Sequence, residues 1–311
     1  MHTVYTTDPV AAAEFIRNGG VVAFPTETVY GLGANVLDSA AVAKIFKAKL
    51  RPADNPLIIH IADRDQIHQI AREVTGTARL LMDSLFPGPL TVIVSKSKAV
   101  PDIATGGLDT VGVRMPRLDI ARRFLESCGV PVAAPSANLS GRPSPTTWQA
   151  VAEDLDGRID CILQGGATEF GVESTVVDCS GSEPVILRAG SISIEQLRGI
   201  VPNIRTSAGG DETKRSPGTR HRHYKPAAKV VIIPHPDGVE RSAGSAYIGI
   251  AGSTSPFDYQ LVCTDADQYA RSFYEFLREC DRRLIGTIYC QEVDETGIGA
   301  ALMDRMRRAA E

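Results

Sequence analysis

Val21-Val22-Ala23-Phe24-Pro25-Thr26-Glu27-Thr28-Val29-Tyr30-Gly31-Leu32 is the stretch on which the fold turns. Four apolar residues running into a proline read as a buried strand, and the polar residues beyond it fall where that strand stops. A bland reading makes Thr26 or Thr28 the cap of a following helix. Hydroxyl and acidic side chains clustered at a strand end also suit ligand binding, because loops at strand ends commonly carry sites. On the near side, Asp8-Pro9 opens a helix that Gly19 closes. On the far side, Asp38 caps a helix whose apolar positions Ala41, Ile45, Phe46 and Leu50 share one face. Further strands are expected at 57–61, 90–94, 110–114, 130–133, 174–177 and 185–187. Irregular helix spacing between so many strands predicts an α/β domain with a mixed sheet rather than a purely parallel one.

The pattern changes at Thr206. From there to about residue 228 apolar periodicity is absent, and Ala208-Gly209-Gly210, Ser216-Pro217-Gly218 and Lys225-Pro226 punctuate the chain as a linker. Strands at 230–233, 247–250, 260–263 and 287–290 then alternate with helices at 265–284 and 299–309, which predicts a smaller, Rossmann-like parallel α/β domain. The expected division is therefore 1–205, linker 206–228, and 229–311.

The 311 residues carry a formal net charge of −4, with 43% hydrophobic and 23% charged residues, which is ordinary for a globular chain. That balance argues against a protein whose main work is gripping nucleic acid. The positive charge is concentrated. Residues 206–229 hold 6 Lys and Arg against 2 Asp and Glu, while 1–205 hold 19 against 22 and 230–311 hold 8 against 13. Arg220-His221-Arg222-His223-Tyr224 gives the linker a cationic and aromatic cluster that a plain spacer does not need. With glycines at 209, 210 and 218 as hinges, it reads as a lid drawn to a polyanion, with Tyr224 as its contact. No apolar run approaches membrane-spanning length, and the first residues lack a signal-peptide layout, so a cytoplasmic location is expected. The cysteines at 128, 161, 179, 263, 280 and 290 form no C-x-x-C pair and read as small core residues in a reducing compartment.

Several tempting motifs fall away. Gly31-Leu32-Gly33 and Gly297-Ile298-Gly299 do not complete a dinucleotide fingerprint, and neither a Walker A sequence nor G-x-S-x-G occurs. Two segments hold their interest beside Pro25–Leu32. Lys47-Ala48-Lys49-Leu50-Arg51-Pro52-Ala53-Asp54-Asn55-Pro56-Leu57 reads blandly as cations at a helix C-terminus with a proline stop. Its prolines also stiffen a loop displaying Lys49, Arg51 and Asn55, as phosphate binding would require. Ala134-Pro135-Ser136-Ala137-Asn138-Leu139-Ser140-Gly141-Arg142-Pro143-Ser144 is a second rigid polar loop after a strand. Together the three suggest an anionic, nucleotide-like ligand without naming it.

The Pro25–Leu32 segment, the Lys49-x-Arg51 pair with its Pro52…Asn55-Pro56-Leu57 tail, and Ser136-x-Asn138 resemble the defining pattern of the YrdC-type threonylcarbamoyl-adenylate synthases. Ser216-Pro217-Gly218 with Arg222-His223-Tyr224 and Pro226 resembles the linker of the two-domain members, although Thr219, His221 and Lys225 depart from its commonest residues. The resemblance runs from about Val21 to Pro226. It implies a YrdC-like twisted mixed sheet with flanking helices, followed by the smaller Rossmann-like domain. It also implies a reaction. Threonine and bicarbonate give a carbamate whose oxygen attacks the α-phosphate of ATP, expelling pyrophosphate, usually with Mg²⁺ held by the phosphates rather than by protein side chains alone. The product passes to a partner enzyme that modifies adenosine in tRNA, so tRNA itself is met indirectly or weakly. Phosphoryl-centre chemistry needs positioning and charge neutralisation rather than a covalent nucleophile.

Carried over by position, the resemblance assigns ATP contacts to Arg51, Asn55, Thr110, Ser136, Ser144, Arg188 and Tyr224. It assigns threonine contacts to Thr28, His60, Arg114, Ala134 and Ser174, and places Lys49, Arg51, Ser136 and Asn138 at the chemistry. Lys49 and Ser136, on proline-bordered loops, are expected to be partly buried. Two other functions compete. One is a structured-RNA-binding module, against which the acidic balance of 1–205 weighs. The other is a carbamoyl-transfer domain, which would bring a cysteine pattern this chain does not have.

Overall fold

A computed structural model describes residues 2–210, 224–239 and 243–311. The elements begin with β1 (Val4–Thr6), α1 (Pro9–Arg17), β2 (Val22–Phe24), β3 (Gly31–Asn35), α2 (Ser39–Lys49), β4 (Ile58–His60), α3 (Ile67–Ile70), β5 (Ala71–Glu73), α4 (Gly76–Leu85) and β6 (Leu90–Lys96). They continue with α5 (Asp102–Thr105), β7 (Thr110–Arg114), α6 (Asp119–Cys128), β8 (Val132–Ala134), α7 (Trp148–Leu155), β9 (Cys161–Leu163), β10 (Thr175–Asp178), β11 (Val185–Arg188), α8 (Ile194–Ile200) and β12 (Arg205–Thr206). These strands form one mixed sheet in the order β1-β9-β2-β3-β8-β4-β7-β6-β10-β11-β12, with β5 beside β6. The remainder is β13 (Lys229–Ile233), β14 (Ser245–Gly249), β15 (Tyr259–Val262), α9 (Ala266–Arg282), β16 (Thr287–Gln291) and α10 (Gly299–Ala310). Its strands pair in parallel throughout, in the order β13-β16-β14-β15.

Local chemistry accounts for the element ends. Asp8 accepts from Val10 N–H at the start of α1, and Asp38 accepts from Ala40 and Ala41 N–H at the start of α2. The segment after β2 does not enter a helix. Leu32 and its neighbours continue as β3, antiparallel to β2, so residues 25–30 form the loop of that hairpin. Leu50 also departs from expectation. It caps α2 in the left-handed conformation at φ 53° and is 68% exposed, so it leaves the apolar face formed by Ala41, Ile45 and Phe46. Much of β4 and β6 is covered on both faces, which is why the stretches 57–61 and 90–94 read as largely apolar runs.

All six cysteines are buried and unpaired, and burial pushes the thiols of Cys128, Cys161 and Cys179 up to about 12. No helix among the described residues is long and apolar enough to cross a membrane. The expected lid cations Arg220 and Arg222, with the expected hinge at Gly218, lie outside the described residues. Of the linker's far end, Tyr224 is buried, Lys225 is exposed, and the Lys225 backbone N–H donates to Gly141 O at 2.9 Å.

Candidate active site

β4 and β7 run parallel, with Ile58 beside Gly112 and His60 beside Arg114. The period of two puts Ile58 and His60 on one face, and Thr110, Gly112 and Arg114 on one face of the neighbouring strand. A cavity opens over these strands. It is walled by Thr26, Thr28, Gly31, Arg51, Ile58 and His60 on one side. Arg114, Ala134, Ser136, Ser174, Arg188 and Tyr224 form much of the rest, with Glu173 beside them. The structure thus brings together nine of the residues assigned by resemblance, from seven separate stretches of chain. Lys49, Asn55, Thr110, Asn138 and Ser144 do not line it.

Arg114 is nearly fully buried. One terminal nitrogen donates to Glu27 Oε1 and the other to Thr28 Oγ1, each at 2.7 Å, while Nε has no partner. Glu27, buried and joined also by the Arg117 backbone N–H at 3.3 Å, is a counter-ion that sequence reading missed as such. His60 sits beside this pair, with Nδ1 3.3 Å from Ile58 O. A carbonyl only accepts, so Nδ1 carries the hydrogen. Burial, reinforced by the Arg114 charge, lowers the His60 pKa to about 3, and the ring stays neutral.

Beside Arg51, the left-handed Leu50 turns the chain so that both of its cationic neighbours are buried. Arg51 donates to Pro56 O at 3.1 Å and keeps an unpartnered Nε. Burial lowers its pKa to about 10, which still leaves it charged at neutral pH. Lys49 differs from expectation: it is 1% exposed, not partly buried. Its Nζ donates to Ser136 O at 2.5 Å and to Asn138 O, with Asn138 Oδ1 at 3.4 Å. Burial, then the Arg51 charge, pulls its pKa down. Lys49 therefore holds the Ser136–Asn138 loop from behind. Asn138 holds the same loop from within, accepting from Ser136 Oγ at 2.5 Å and donating to Leu139 O and Arg142 O.

Arg188 donates through Nε and NH2 to Ser174 O at 3.1 and 2.9 Å, and Ser174 Oγ lies 2.8 Å from Thr91 Oγ1. Gly190 permits this close approach, because a Cβ there would lie 2.2 Å from Thr175 N. Ser144 donates to Glu173 Oε1 at 2.6 Å behind the wall. Asn55 is fully buried, its carbonyl facing Arg51 NH2 at 3.4 Å. Tyr224 closes the cavity with its backbone in the left-handed region at φ 68°, a conformation that costs a bulky residue about 1–3 kcal/mol. The cavity encloses about 60 Å³. Small-molecule sites run to about 300 Å³ or more, so a nucleotide requires the walls to part.

Arg51, Arg114 and Arg188 line the cavity with one carboxylate, Glu173, whose oxygens are taken by Ser144, Tyr274 and Arg305. Glu27 offsets Arg114 from outside the lining, which leaves Arg51 and Arg188 as the other cations of the wall. The wall therefore suits a polyanion. It offers no ligand set of its own for a divalent cation, and no group of three His, Cys, Asp or Glu residues occurs among the described residues.

The neutral His60 makes stability depend on pH. Its folded pKa of about 3 lies below the unfolded value of about 6.5, so the unfolded chain binds a proton that the folded chain refuses. That stability is complete above pH 6.5 and is lost as pH falls toward 3. At pH 5 the loss reaches about 2 kcal/mol, before carboxylate protonation begins in earnest. Melting of the wild type should fall between pH 6.5 and 5, while His60→Gln flattens that slope. Equal slopes would contradict a neutral buried ring.

Comparison with known proteins identifies the family. Residues 14–190 match the family model of the Sua5, YciO and YrdC proteins, described as telomere recombination. Residues 192–311 match the model described as the threonylcarbamoyl-AMP synthase C-terminal domain. The chain is 45% identical to the threonylcarbamoyl-AMP synthase of Pyrococcus abyssi over 96% of this chain and 93% of the relative. It is 41% identical to the Bacillus subtilis enzyme of the same name, over 98% and 94%. Among solved structures, Pyrococcus abyssi Sua5 complexed with L-threonine superposes with a TM-score of 0.92 at 43% identity, covering 99% of this chain and 97% of that one.

Proposed function

Because the chain belongs to the Sua5, YciO and YrdC family and carries the C-terminal domain of its threonylcarbamoyl-AMP synthases, we infer that it condenses L-threonine, bicarbonate and ATP to threonylcarbamoyl-adenylate and pyrophosphate. The observation that carries this reading is one cavity that gathers two clusters of different chemistry. Arg114, Thr28 and neutral His60 form a cluster suited to a small amino acid, and Arg51, Arg188 and Tyr224, close enough to act on one another's charge, form a cluster suited to a nucleotide.

In this reading the threonine carboxylate engages Arg114, whose Nε is unpartnered and whose guanidinium Glu27 and Thr28 hold in place. Ala134 and Ser174 bound the amine, whose nitrogen lone pair adds to the bicarbonate carbon; water leaves, carrying an amine proton, and the carbamate remains. A carbamate oxygen attacks the α-phosphorus of ATP, the bond to the bridging oxygen breaks, and that electron pair leaves with pyrophosphate. This makes the enzyme a nucleotidyltransferase. Arg51 and Arg188 neutralise the phosphate charge that shifts in the step. Ser136 supplies a hydroxyl at the chemistry, aimed by Asn138 and Lys49. Asn55, Ser144 and Thr110 support the nucleotide cluster from outside the cavity wall. Mg²⁺ carried on the ATP phosphates would add charge neutralisation beside Arg51 and Arg188. The 206–228 segment serves as a lid, and movement of Tyr224 admits ATP and then excludes water. The reading carries with it a cytoplasmic location, where unpaired thiols stay reduced, and a downstream enzyme that transfers the product to tRNA.

The test is mass spectrometry of products from ATP, threonine, bicarbonate and Mg²⁺. An adenylate bearing threonylcarbamate is expected, and its formation should stop when EDTA is in excess. Salt-dependent tRNA binding without turnover would instead favour an RNA-binding module.

A further inference from the structure

Helices of the C-terminal unit reach across to the cavity wall. Arg305 on α10 has no exposed surface, and its Nε donates to Glu173 Oε2 at 2.8 Å while NH2 donates to Ala189 O at 2.9 Å. From α9, the Tyr274 hydroxyl lies 3.0 and 3.2 Å from the two Glu173 oxygens. Helix α9 comes this close because Gly171, at φ +72°, has no Cβ; one placed there would lie 2.4 Å from Arg271 Cα. The Arg305 guanidinium also covers the Tyr224 ring at 5.7 Å.

Glu173 is an anion in the wall of a cavity suited to polyphosphate. Burial alone would raise its pKa, but Arg305, Arg188 and the Ser144 hydroxyl outweigh burial and hold it at about 2. It is therefore ionised, and its charge is cancelled from the other side of the domain interface. Stability alone does not call for this arrangement, since apolar packing commonly replaces a buried ion pair at no loss. The interface is also tied elsewhere, by Arg278 with Asp154 at 2.8 Å and by Arg282 with Glu153 at 2.8 Å.

We propose that Arg305 is a positioning residue for ATP, pairing with Glu173 so that the carboxylate orders Ser144 and the Arg188 strand end without repelling the phosphates. The C-terminal unit thereby supplies part of the nucleotide site. This rests on the cavity being the ATP site, as inferred above.

The experiment uses the full chain, with KM for each substrate, calorimetric ATP affinity and melting read on every variant. Arg305→Met, which keeps bulk but not charge, should raise the KM for ATP by roughly tenfold or more, because it strands a buried charge. The KM for threonine should change by less than about threefold, since its cluster is held by Glu27 and Thr28. Adding Glu173→Gln to Arg305→Met removes the stranded charge and should recover most of the ATP affinity. Tyr274→Phe keeps the ring and should weaken ATP by about threefold, as expected for one lost hydrogen bond. Arg282→Ala, a remote interface contact, should leave both constants unchanged.

A folded Arg305→Met protein with wild-type ATP constants overturns the proposal. So does loss of both substrates in step with melting and without rescue by Glu173→Gln. If Arg305→Met does not fold, Arg305→Lys and Tyr274→Phe decide by the same readouts, and unchanged ATP constants in both overturn it. A wild-type chain that binds ATP but makes no threonylcarbamoyl-adenylate overturns the proposed reaction alone. One that binds no ATP overturns both.

Discussion

Arg114→Ala is expected to cripple threonine use while largely sparing ATP binding. Arg114 ends β7 beside His60, its guanidinium is shared between Glu27 and Thr28, and it is not among the charges that act on Arg51. Removal takes away the carboxylate partner of the proposed substrate and strands the buried Glu27 anion in the same place. Losing one side of a desolvated charge pair costs about 2–5 kcal/mol, or roughly 30-fold and upward in threonine affinity. Arg114→Lys restores charge without the planar fork and should recover only part of the loss. Separate titrations of threonine and ATP, with melting as a control for Glu27, check this. Equal loss of both affinities would remove Arg114 from the threonine cluster.

Lys49→Ala is expected to lower melting temperature and activity together. The motif alone suggests a phosphate contact whose loss spares stability. Burial argues otherwise, because Nζ is spent on Ser136 O, Asn138 O and Asn138 Oδ1 and does not line the cavity. The truncation leaves buried acceptors without donors, each worth about 1–3 kcal/mol. A total on the order of 3 kcal/mol lowers melting by about 5 °C in a protein of this size. Activity follows, since Ser136 hangs on the loop that Lys49 holds. Thermal melts run beside a pyrophosphate-release assay separate the roles. An unchanged melting temperature with lost activity would return Lys49 to direct phosphate contact.

Local pattern carried a large part of this molecule. Asp8 and Asp38 capped their helices as expected because capping is decided within a few residues. Residues 90–94 and 287–290 were legible as strands because burial on both faces writes itself as a largely apolar run. The parallel pairing of β16 with β13 and β14 followed from the helix α9 that precedes it, since a helix is the usual crossover between parallel strands. The parallel pairing of β14 with β15, which no helix separates, did not. The residues assigned by motif resemblance were also legible, and nine of them meet in one cavity.

Partner choice across long sequence distance was not legible. Nothing near Glu27 announces Arg114, which lies 87 residues on, and nothing near Glu173 announces Arg305, 132 residues away. Lys49 and Arg51 read alike as loop cations, yet the first became an internal clamp and the second a cavity wall. A left-handed Leu50 decided that difference by reversing the chain between them. Periodicity records which faces are apolar, because burial acts on each residue through its own surface. A buried charge is settled only by the particular group that folding brings within hydrogen-bond reach, and that is a property of the assembled structure.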